Sequence, residues 1–425
     1  MKYDILTFGC KVNQYESTAI GNYMQSRGFS PCEDGETPDA VIINSCSVTE
    51  NGDKKARHAV RAAKKRYPGA VVVLTGCYPQ ADPAGAAECG ADIVAGTAHR
   101  GEIPELITEF LAGRRAAADM TLPEAFEELG IRHTTDKTRA FIKIEDGCDR
   151  YCSYCIIPYA RGKVRSRGVG RITEEAELCA REGHREIVLV GINLSRYGSD
   201  IGLDLADAVK AASVPEGIER VRLSSLEPEL LDEDIVSRLA ECKKLCPHFH
   251  ISVQSGCDAT LRRMNRHYDT AGYMDIISRL RRWFPGCAIT TDVMVGFAGE
   301  TDEEFAQSLE FVRRAGFQRV HVFTYSVRRG TAAEKRTDHV PESIKSRRYA
   351  EMSALAEKLS SDSLSAQKGR NVRILVQKRT SPDYAEGLTD DYIPVRVYGS
   401  DAKKHDLINV RITGTGDGYC TGEVL

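Results

Sequence analysis

Short β-branched runs alternate with longer helical patterns over the first 114 residues. The runs are almost continuously apolar, which indicates strands buried on both faces. Residues 13–27 and 52–67 are long enough to be helical crossovers between parallel strands. This alternation predicts an open parallel α/β sheet. The predicted strands are residues 3–8, 40–43, 70–74 and 92–94.

A second pattern of strand-like segments recurs between residues 134 and 365, with helical stretches between the segments. Repeated βα units of this kind predict a (β/α)6 partial TIM barrel. A helical pattern from Pro341 to about Lys368 follows and is expected to pack against the barrel. The six predicted strands are residues 140–145, 186–190, 220–225, 248–253, 288–295 and 319–325.

The last part of the chain, residues 366–425, changes to Val, Ile, Thr and Tyr with Gly and Asp turns, which predicts a small antiparallel β-barrel. Residues 115–137 are rich in Ala and Thr and lack clean periodicity, so they are expected to connect two domains. The chain is therefore predicted to be an α/β protein with domains at 1–114, 134–365 and 366–425.

The charge balance excludes a globally cationic protein. The chain has 425 residues, with 58 Lys plus Arg against 61 Asp plus Glu, so its net charge is 58 − 61 = −3. Binding of nucleic acid would therefore need local basic patches. No apolar stretch approaches the roughly 18 residues that span a bilayer, and we expect a cytoplasmic protein without membrane contact.

The chain carries 14 cysteines, too sparse for a disulfide scaffold in a protein of this length. Three of them, Cys148, Cys152 and Cys155, form C-x3-C-x2-C directly after the first barrel strand. Three thiolates can hold three irons of a 4Fe-4S cluster and leave the fourth open to a small molecule. Structural zinc is the alternative, although it would normally require a fourth Cys or His nearby. We call these residues the first cysteine triad.

A second set of cysteines, Cys10, Cys46 and Cys77, is spread widely along the sequence, but each residue follows a predicted parallel strand. Residues just past the carboxyl ends of such strands share one edge of the sheet. These thiols, the second cysteine triad, are therefore expected to be neighbours and to hold a second cluster. Unrelated buried thiols remain the alternative.

The first triad, placed after the first strand of a partial barrel, resembles the radical S-adenosylmethionine enzymes. The resemblance implies that the open iron chelates S-adenosylmethionine, and that one electron cleaves it to methionine and a hydrogen-abstracting 5′-deoxyadenosyl radical. It also places Tyr154 against the adenine, although an ordinary partly buried tyrosine is the alternative.

Both triads, followed by a small β-barrel, resemble the methylthiotransferase family over essentially the whole chain. The resemblance implies two 4Fe-4S clusters, with S-adenosylmethionine as both radical source and methyl donor. It also implies a sulfur donor, a low-potential electron donor such as flavodoxin or ferredoxin, and the anticodon stem-loop of tRNA as partner. The last domain resembles the TRAM RNA-binding domain, with a scaffold role as the alternative.

Three branches of that family differ in substrate. The opening GCKVNQYES (9–17), together with CSYCIIPYARGKVRSR (152–167) and HFHISVQSGCDATLRRMNRHY (248–268), resembles the branch that modifies N6-threonylcarbamoyladenosine at position 37 of tRNA. The isopentenyl branch more often reads GCQMN, and the ribosomal-protein branch reads GC-x-KN-x-x-DSE. The alternatives are therefore N6-isopentenyladenosine, a ribosomal-protein aspartate, or an iron–sulfur RNA-binding protein without catalysis.

Further candidate residues lie at the ends of the barrel strands, where reactive groups of βα barrels are found. The resemblance places Gly191 and Asn193 against the methionine part of S-adenosylmethionine. Turn and capping roles are the alternative for the glycines and for Glu227. No acid–base residue is assigned. The candidates for cofactor binding are Tyr154, Gly191, Asn193, Ser224, Glu227, Gln254 and Gly296.

Basic residues follow the first triad directly in sequence. Arg161, Arg165 and Arg167 leave the cluster loop at the face where the phosphates of an anticodon loop would pass. They are therefore predicted to contact RNA, with an ordinary solvated charge run as the alternative.

Overall fold

The N-terminal part of the chain is an open parallel sheet in the computed structural model, which describes residues 1–114, 118–129, 131–133, 137–381 and 383–425. Its spatial order is β2-β1-β3-β4-β5, with every pairing parallel. The elements are β1 (Lys2–Thr7), α1 (Lys11–Ser26), β2 (Ser30–Pro31), β3 (Ala40–Ser45), α2 (Glu50–Arg66), β4 (Val71–Gly76), α3 (Cys77–Ala81), α4 (Pro83–Ala87), β5 (Ile93–Val94) and α5 (Ile103–Leu111).

The sequence pattern of this sheet is confirmed in its four main strands and two long helices. Strands β3 and β4 are buried at every residue, as strands covered on both faces should be. The edge strand β2 and the helix α5 are additions that apolar periodicity did not reveal. The predicted connection at 115–137 lies partly outside the described residues, as does the predicted domain start at 134.

The middle of the chain forms the predicted partial barrel of parallel strands. Sheet β10-β9-β6 and sheet β11-β12-β13-β14 follow one another, and the predicted strand 220–225 is divided at Ser224. The elements are β6 (Arg139–Lys143), β7 (Glu145–Asp146), α6 (Ile157–Arg161), β8 (Arg165–Ser166), α7 (Val169–Arg181), β9 (Glu186–Val190), α8 (Leu205–Ala212), β10 (Arg220–Leu223), β11 (Ser225–Leu226), α9 (Glu233–Glu241), β12 (His248–Ile251), α10 (Asp258–Arg263), α11 (Thr270–Trp283), β13 (Ala288–Val295), α12 (Asp302–Ala315), β14 (Arg319–Thr324) and α13 (Glu342–Ser365).

Helix α1 joins the N-terminal sheet to this barrel. Its residues Val12 and Tyr15 are buried in one apolar cluster with Val188 and Val190 of strand β9. The Tyr15 hydroxyl also donates to Glu175 of α7 at 3.0 Å. The beginning of α1, and therefore Cys10 just before it, is held against the interior of the barrel.

The C-terminal part is a closed five-stranded barrel in the order β15-β16-β17-β19-β18. Four pairings are antiparallel as predicted, and the β17–β19 pairing that closes the barrel is parallel. Apolar side chains from alternating positions, such as Ile374, Val376 and Val395, fill the interior. The strands are β15 (Asn371–Ser381), β16 (Tyr384–Thr389), β17 (Pro394–Tyr398), β18 (Leu407–Gly416) and β19 (Tyr419–Val424).

The turn between β16 and β17 closes the amino-terminal end of the larger barrel. Arg220 donates to the Leu388 carbonyl oxygen at 3.0 Å, and Arg222 donates to that of Asp390 at 3.0 Å. Tyr392, in the same turn, stacks on His248 with 4.6 Å between ring centroids. Within the described residues, no helix is both long and apolar enough to cross a membrane.

Candidate active site

The first cysteine triad lies on the loop between β7 and α6. Gly147, with φ +88°, begins this loop so close to the Lys163 carbonyl oxygen that any side chain would collide with it. The loop is then fixed by backbone hydrogen bonds, from Cys148 N to Gly162 O at 2.9 Å and from Cys155 N to Cys152 O at 2.9 Å. The three thiols are therefore held by a short, well-bonded stretch of backbone.

The surroundings of the first triad favour protonated thiols when no metal is bound. Burial, and then the neighbouring Cys152, raises the pKa of Cys155 to about 12, and burial raises that of Cys148 to about 11. A bound metal reverses this preference because it deprotonates a coordinating thiol outright. The site is therefore suited to a cationic metal group and poorly suited to free thiolates.

Two polar side chains reach the sulfur atoms of this triad. Arg266 Nη1 donates to Cys152 Sγ at 3.3 Å, and Asn193 Nδ2 lies 3.6 Å from Cys148 Sγ. Arg266 is itself paired with Glu227. Arg266 was missed in the sequence, because nothing in its spacing distinguishes it from the other arginines of the motif 248–268.

The second cysteine triad is brought together at the carboxyl ends of three strands of the N-terminal sheet. Cys10 precedes α1, Cys46 follows β3, and Cys77 begins α3 directly after β4. Gly9, with φ +112°, passes so close to Cys46 that an added Cβ would lie 3.0 Å from its Sγ. Burial, and then the Cys77 thiol, raises the pKa of Cys46 to about 12.

A buried arginine from the barrel touches this second triad. Arg161 Nε donates to Cys77 Sγ at 3.3 Å, and its guanidinium pairs with Glu16 at 2.8 Å and with Asp146 at 2.9 Å. Burial alone would raise the pKa of Glu16, but Arg100 and Arg161 hold it at about 2. The sequence pointed to neither Arg100 nor Glu16, because their partners lie far away along the chain.

The three arginines predicted to contact RNA after the first triad are buried, and their contact with RNA stays a prediction. Arg161 is fully buried, Arg165 donates to the carbonyl oxygens of Arg161 and Lys163 at 2.8 and 3.0 Å, and Arg167 pairs with Glu128 at 2.8 Å. Their counter-charges are Asp146 and Glu175, which are near in sequence, and Glu16 and Glu128, which are farther away. A basic run that resembled a solvated face is therefore an internal ion network. Lys163 is the exposed basic residue of this stretch.

Two predicted cofactor residues after β9, Gly191 and Asn193, lie against the buried carboxyl group of Glu145. An added Cβ at Gly191 would lie 2.7 Å from Glu145 Oε2, and Asn193 N donates to the same oxygen at 2.7 Å. Ser224 is buried where β10 and β11 meet, and its amide donates to Leu189 O at 3.0 Å. A glycine is thus required at position 191 because its backbone lies so close to Glu145. This requirement also fits the alternative that Gly191 has a turn role.

The other predicted cofactor residues lie on the far side of the barrel mouth. Gln254 lies three residues after β12 and has φ +65°, a left-handed conformation that is strained for a side chain of this size and is often found at functional sites. Gly296, with φ +71°, lies against Lys345. The ring of Tyr154 packs edge-on against Phe297 at 6.2 Å, in one cluster with Met264 and Tyr325.

The donor sets of both triads suit iron–sulfur clusters better than a single metal ion. In the described ranges, no three His, Cys, Asp or Glu side chains converge as the ligands of one ion would. A four-iron cluster does not need that convergence, because each thiolate binds a different iron. A guanidinium hydrogen bond to one sulfur of each triad also suits a thiolate bound to a cluster.

Comparison with known proteins gives two matching families along the chain. Residues 142–312 match the radical SAM superfamily, and residues 2–96 match the uncharacterized protein family UPF0004. Among solved structures, the radical S-adenosylmethionine methyltransferase TsrM from Kitasatospora setae has a TM-score of 0.59 at 14% identity, covering 76% of this chain and 74% of that one. At that identity the likeness concerns the fold alone.

Full-length relatives are closer in sequence. The threonylcarbamoyladenosine tRNA methylthiotransferase MtaB of Bacillus subtilis is 35% identical over 99% of this chain and 95% of its own length. MtaB of Thermotoga maritima is 36% identical over 96% and 92%. The tRNA-2-methylthio-N6-dimethylallyladenosine synthase of Clostridium botulinum is 31% identical over 100% and 97%. The chain therefore belongs to the radical S-adenosylmethionine methylthiotransferase family, whose cofactors are S-adenosylmethionine and 4Fe-4S clusters.

Proposed function

We propose that this enzyme converts N6-threonylcarbamoyladenosine at position 37 of tRNA to its 2-methylthio derivative. The observation that carries the proposal is the near full-length identity of 34–36% to three enzymes named MtaB, against 31–32% for the dimethylallyladenosine synthases. The two cysteine triads at the mouth of one barrel supply the two metal sites that such a reaction needs.

We assign one 4Fe-4S cluster to each triad. Cys148, Cys152 and Cys155 would hold the cluster that binds S-adenosylmethionine, which supplies the hydrogen-abstracting radical when it is bound. Cys10, Cys46 and Cys77 would hold the cluster at which sulfur is delivered. Cys10 is the exposed thiol of its triad, so this side of the second site is open to a substrate.

The strand-end residues are proposed to hold S-adenosylmethionine between them. Asn193 lies beside Cys148, Gly191 lies against Glu145, and Arg266, paired with Glu227, lies beside Cys152. Ser224, Gln254, Gly296 and Tyr154 complete the rim. The polar groups on the β9–β11 side suit the charged methionine part, and the apolar cluster around Tyr154 and Phe297 suits the adenine ring.

We propose a division of the chain into domains at 1–114, 134–365 and 366–425. The two family matches, at 2–96 and 142–312, and the closed barrel that begins at Asn371 support it. The last domain is proposed to bind the anticodon stem-loop. Arg396 lies over the ring of Tyr419 at 3.9 Å, a cation and aromatic combination that suits stacked bases. We place the reaction in the cytoplasm, with a low-potential electron donor and a separate sulfur donor.

The test is anaerobic incubation of cluster-reconstituted enzyme with S-adenosylmethionine, reductant and tRNA that carries either adenosine modification, followed by nucleoside mass spectrometry. We expect a methylthio mass gain on threonylcarbamoyladenosine alone. A gain on dimethylallyladenosine would reassign the substrate, and cleavage of S-adenosylmethionine without change of either nucleoside would refute tRNA as the substrate.

Iron counting tests whether the protein holds two clusters, and cleavage of S-adenosylmethionine separates catalysis from simple binding. Reconstituted enzyme should hold about eight irons, and about four would remove the second cluster from the proposal. A protein that binds tRNA, holds iron and never cleaves S-adenosylmethionine would be the non-catalytic alternative.

A further inference from the structure

A cavity of about 620 Å³ lies inside the barrel and is lined by all three parts of the chain. Cys10 and Lys11 reach it from the start of α1, Tyr392 closes it from the C-terminal barrel, and strand residues form its walls. Its volume lies in the range of pockets that enclose small ligands. Because Cys10 belongs to the second triad and Gly191 to the proposed S-adenosylmethionine site, the cavity borders both.

The charges in this cavity are mainly positive. In the described part of the chain, Lys11 and Arg319 both line it and neither has a hydrogen bond or an ion pair to another side chain. Arg222 also lines it, but its charge is already paired with Glu186 at 2.9 Å. Two cationic side chains are thus available to a ligand.

The carboxylate that lines the cavity already has hydrogen-bond partners. Asp292 is the one carboxylate among the lining residues, and it accepts from Ser252 Oγ at 2.8 Å and faces His250 Nε2 at 3.1 Å. It is therefore not free to neutralise Lys11 or Arg319. The unpaired positive charge of the cavity calls for an anion from outside the chain.

A buried histidine in the same wall has one ring nitrogen that no described residue pairs. His248 is 95% buried, since 5% of its surface is exposed, and its Nε2 lies 3.1 Å from Thr290 Oγ1. Its Nδ1 has no hydrogen-bond partner among the described residues. A buried polar atom without a partner is uncommon in folded proteins and indicates a group that a ligand completes.

We propose that Lys11 and Arg319 bind the carboxylate of the N6 side chain of the substrate in this cavity. The inference rests on the proposed function, because threonylcarbamoyladenosine carries a carboxylate and dimethylallyladenosine does not. Since Cys10 and Lys11 both line the cavity, the proposed pose has the adenine C2 beside Cys10 and the N6 substituent in the same cavity, towards Lys11. The ammonium and the guanidinium then select the charged side chain over the apolar one.

The test compares two anticodon stem-loop RNAs that differ only in this charge. One carries threonylcarbamoyladenosine, and the other carries its methyl ester, in which the carboxylate is neutral. Binding to the cluster-loaded enzyme is measured by fluorescence anisotropy without reductant, so that no turnover occurs. A hydrogen bond to a charged group contributes about 1.5–3 kcal/mol, so the wild type should bind the acid about 10- to 100-fold more tightly.

Arg319→Gln and Lys11→Met should each bring the acid-to-ester ratio most of the way to one. Arg319→Gln is the safer variant, because Arg319 is exposed and bonded to no other side chain of the described residues. Iron content is measured for Lys11→Met, since Lys11 follows Cys10. The matched control, Arg329→Gln, removes an exposed arginine outside the cavity and should leave the ratio unchanged.

Two results would overturn the inference alone. In the first, the wild-type enzyme methylthiolates threonylcarbamoyladenosine but binds the acid and the ester equally. In the second, neither variant alters the acid-to-ester binding ratio. An enzyme that modifies only dimethylallyladenosine would refute the proposed function and the inference together. Loss of preference in both variants, with the ratio kept in Arg329→Gln, would support the inference.

Discussion

The two cysteine triads reach similar surroundings by different routes. The first triad lies within eight residues of one loop, whose own backbone hydrogen bonds hold it. The second triad exists only because three parallel strands end at one edge of a sheet. In each, one sulfur accepts a hydrogen bond of 3.3 Å from a buried arginine, Arg266 for Cys152 and Arg161 for Cys77.

The arginines show what the difference means. Arg266 and its partner Glu227 both belong to the barrel, so the first site is complete within one part of the chain. Arg161 also belongs to the barrel, but its sulfur and its partner Glu16 belong to the N-terminal part. The second site therefore depends on how the N-terminal sheet is docked on the barrel, and the first site does not.

The largest effect is expected from breaking the first triad. Cys152→Ala removes the ligand of one iron, and cleavage of S-adenosylmethionine should fall to the background rate because no radical forms without that cluster. The formation of 5′-deoxyadenosine is the measurement. Cys242→Ala, a change to a half-buried thiol outside both triads, is the control and should retain cleavage. Cleavage that survives in Cys152→Ala would remove this triad from the radical chemistry.

Breaking the second triad should separate cleavage of S-adenosylmethionine from formation of the methylthio product. Cys46→Ala is expected to retain S-adenosylmethionine cleavage within a few-fold of wild type and to lose the methylthio product, because the proposal assigns sulfur delivery to the second cluster. Both products are measured in one reaction, with Cys32→Ala as the control in the same sheet. If both activities disappear together, the two sites are not independent and the comparison fails.

The dependence on docking is tested by Arg161→Met. Removing one partner of a buried ion network leaves the Glu16 and Asp146 carboxylates short of a counter-charge, which costs about 3–5 kcal/mol of unfolding free energy. Urea denaturation of the metal-free protein measures it. Arg171→Met breaks the exposed pair with Glu174 and should cost less than about 1 kcal/mol. Equal costs for the two variants would show that the buried network does not hold the parts together.

The contrast between local and distant contacts also explains which features could be predicted from the sequence. Apolar runs revealed the strands, because burial on both faces leaves a direct signature in residues such as those of β3 and β4. The first triad follows from spacing alone, and the second follows from strand ends once a parallel sheet is assumed. In both cases the signal is local to an element.

The partners of buried charges were not readable, because they come from distant positions. Arg161 lies 145 residues from Glu16, and Arg167 lies 39 residues from Glu128. A run of arginines looks alike whether it faces solvent or an internal carboxylate, so the burial of Arg161 and Arg167 could not be predicted from the run itself. The parallel closing pair of the small barrel was missed for a similar reason, since strand direction is set by the path of the connections.

The smallest effect concerns two adjacent carboxyl groups that face different sites. Burial opposes the charge of Asp146, but Arg161 and Lys143 hold its pKa well below the usual range. Glu145 has no such partner. Burial raises its pKa to about 8, one oxygen accepts from Asn193 N at 2.7 Å, and the other has no hydrogen-bond partner within the described part of the chain. At neutral pH we therefore expect Asp146 to be charged and Glu145 to be protonated.

This difference gives the pH dependence its sign. The folded state holds a proton on Glu145 that the unfolded chain releases above its ordinary pKa of 4.5, so stability is lost as the pH rises from there through about 8. From pH 6 to pH 8 the loss should be about 2 kcal/mol in the wild type. Glu145→Gln keeps the shape of the side chain without the titration, so its unfolding free energy should lack this decline in urea titrations across that range. Asp146 contributes nothing to the slope there, because it is charged in both states. Parallel curves for wild type and Glu145→Gln would mean that Glu145 is already charged at neutral pH, and that the first site, like the second, is built around an ionised carboxylate.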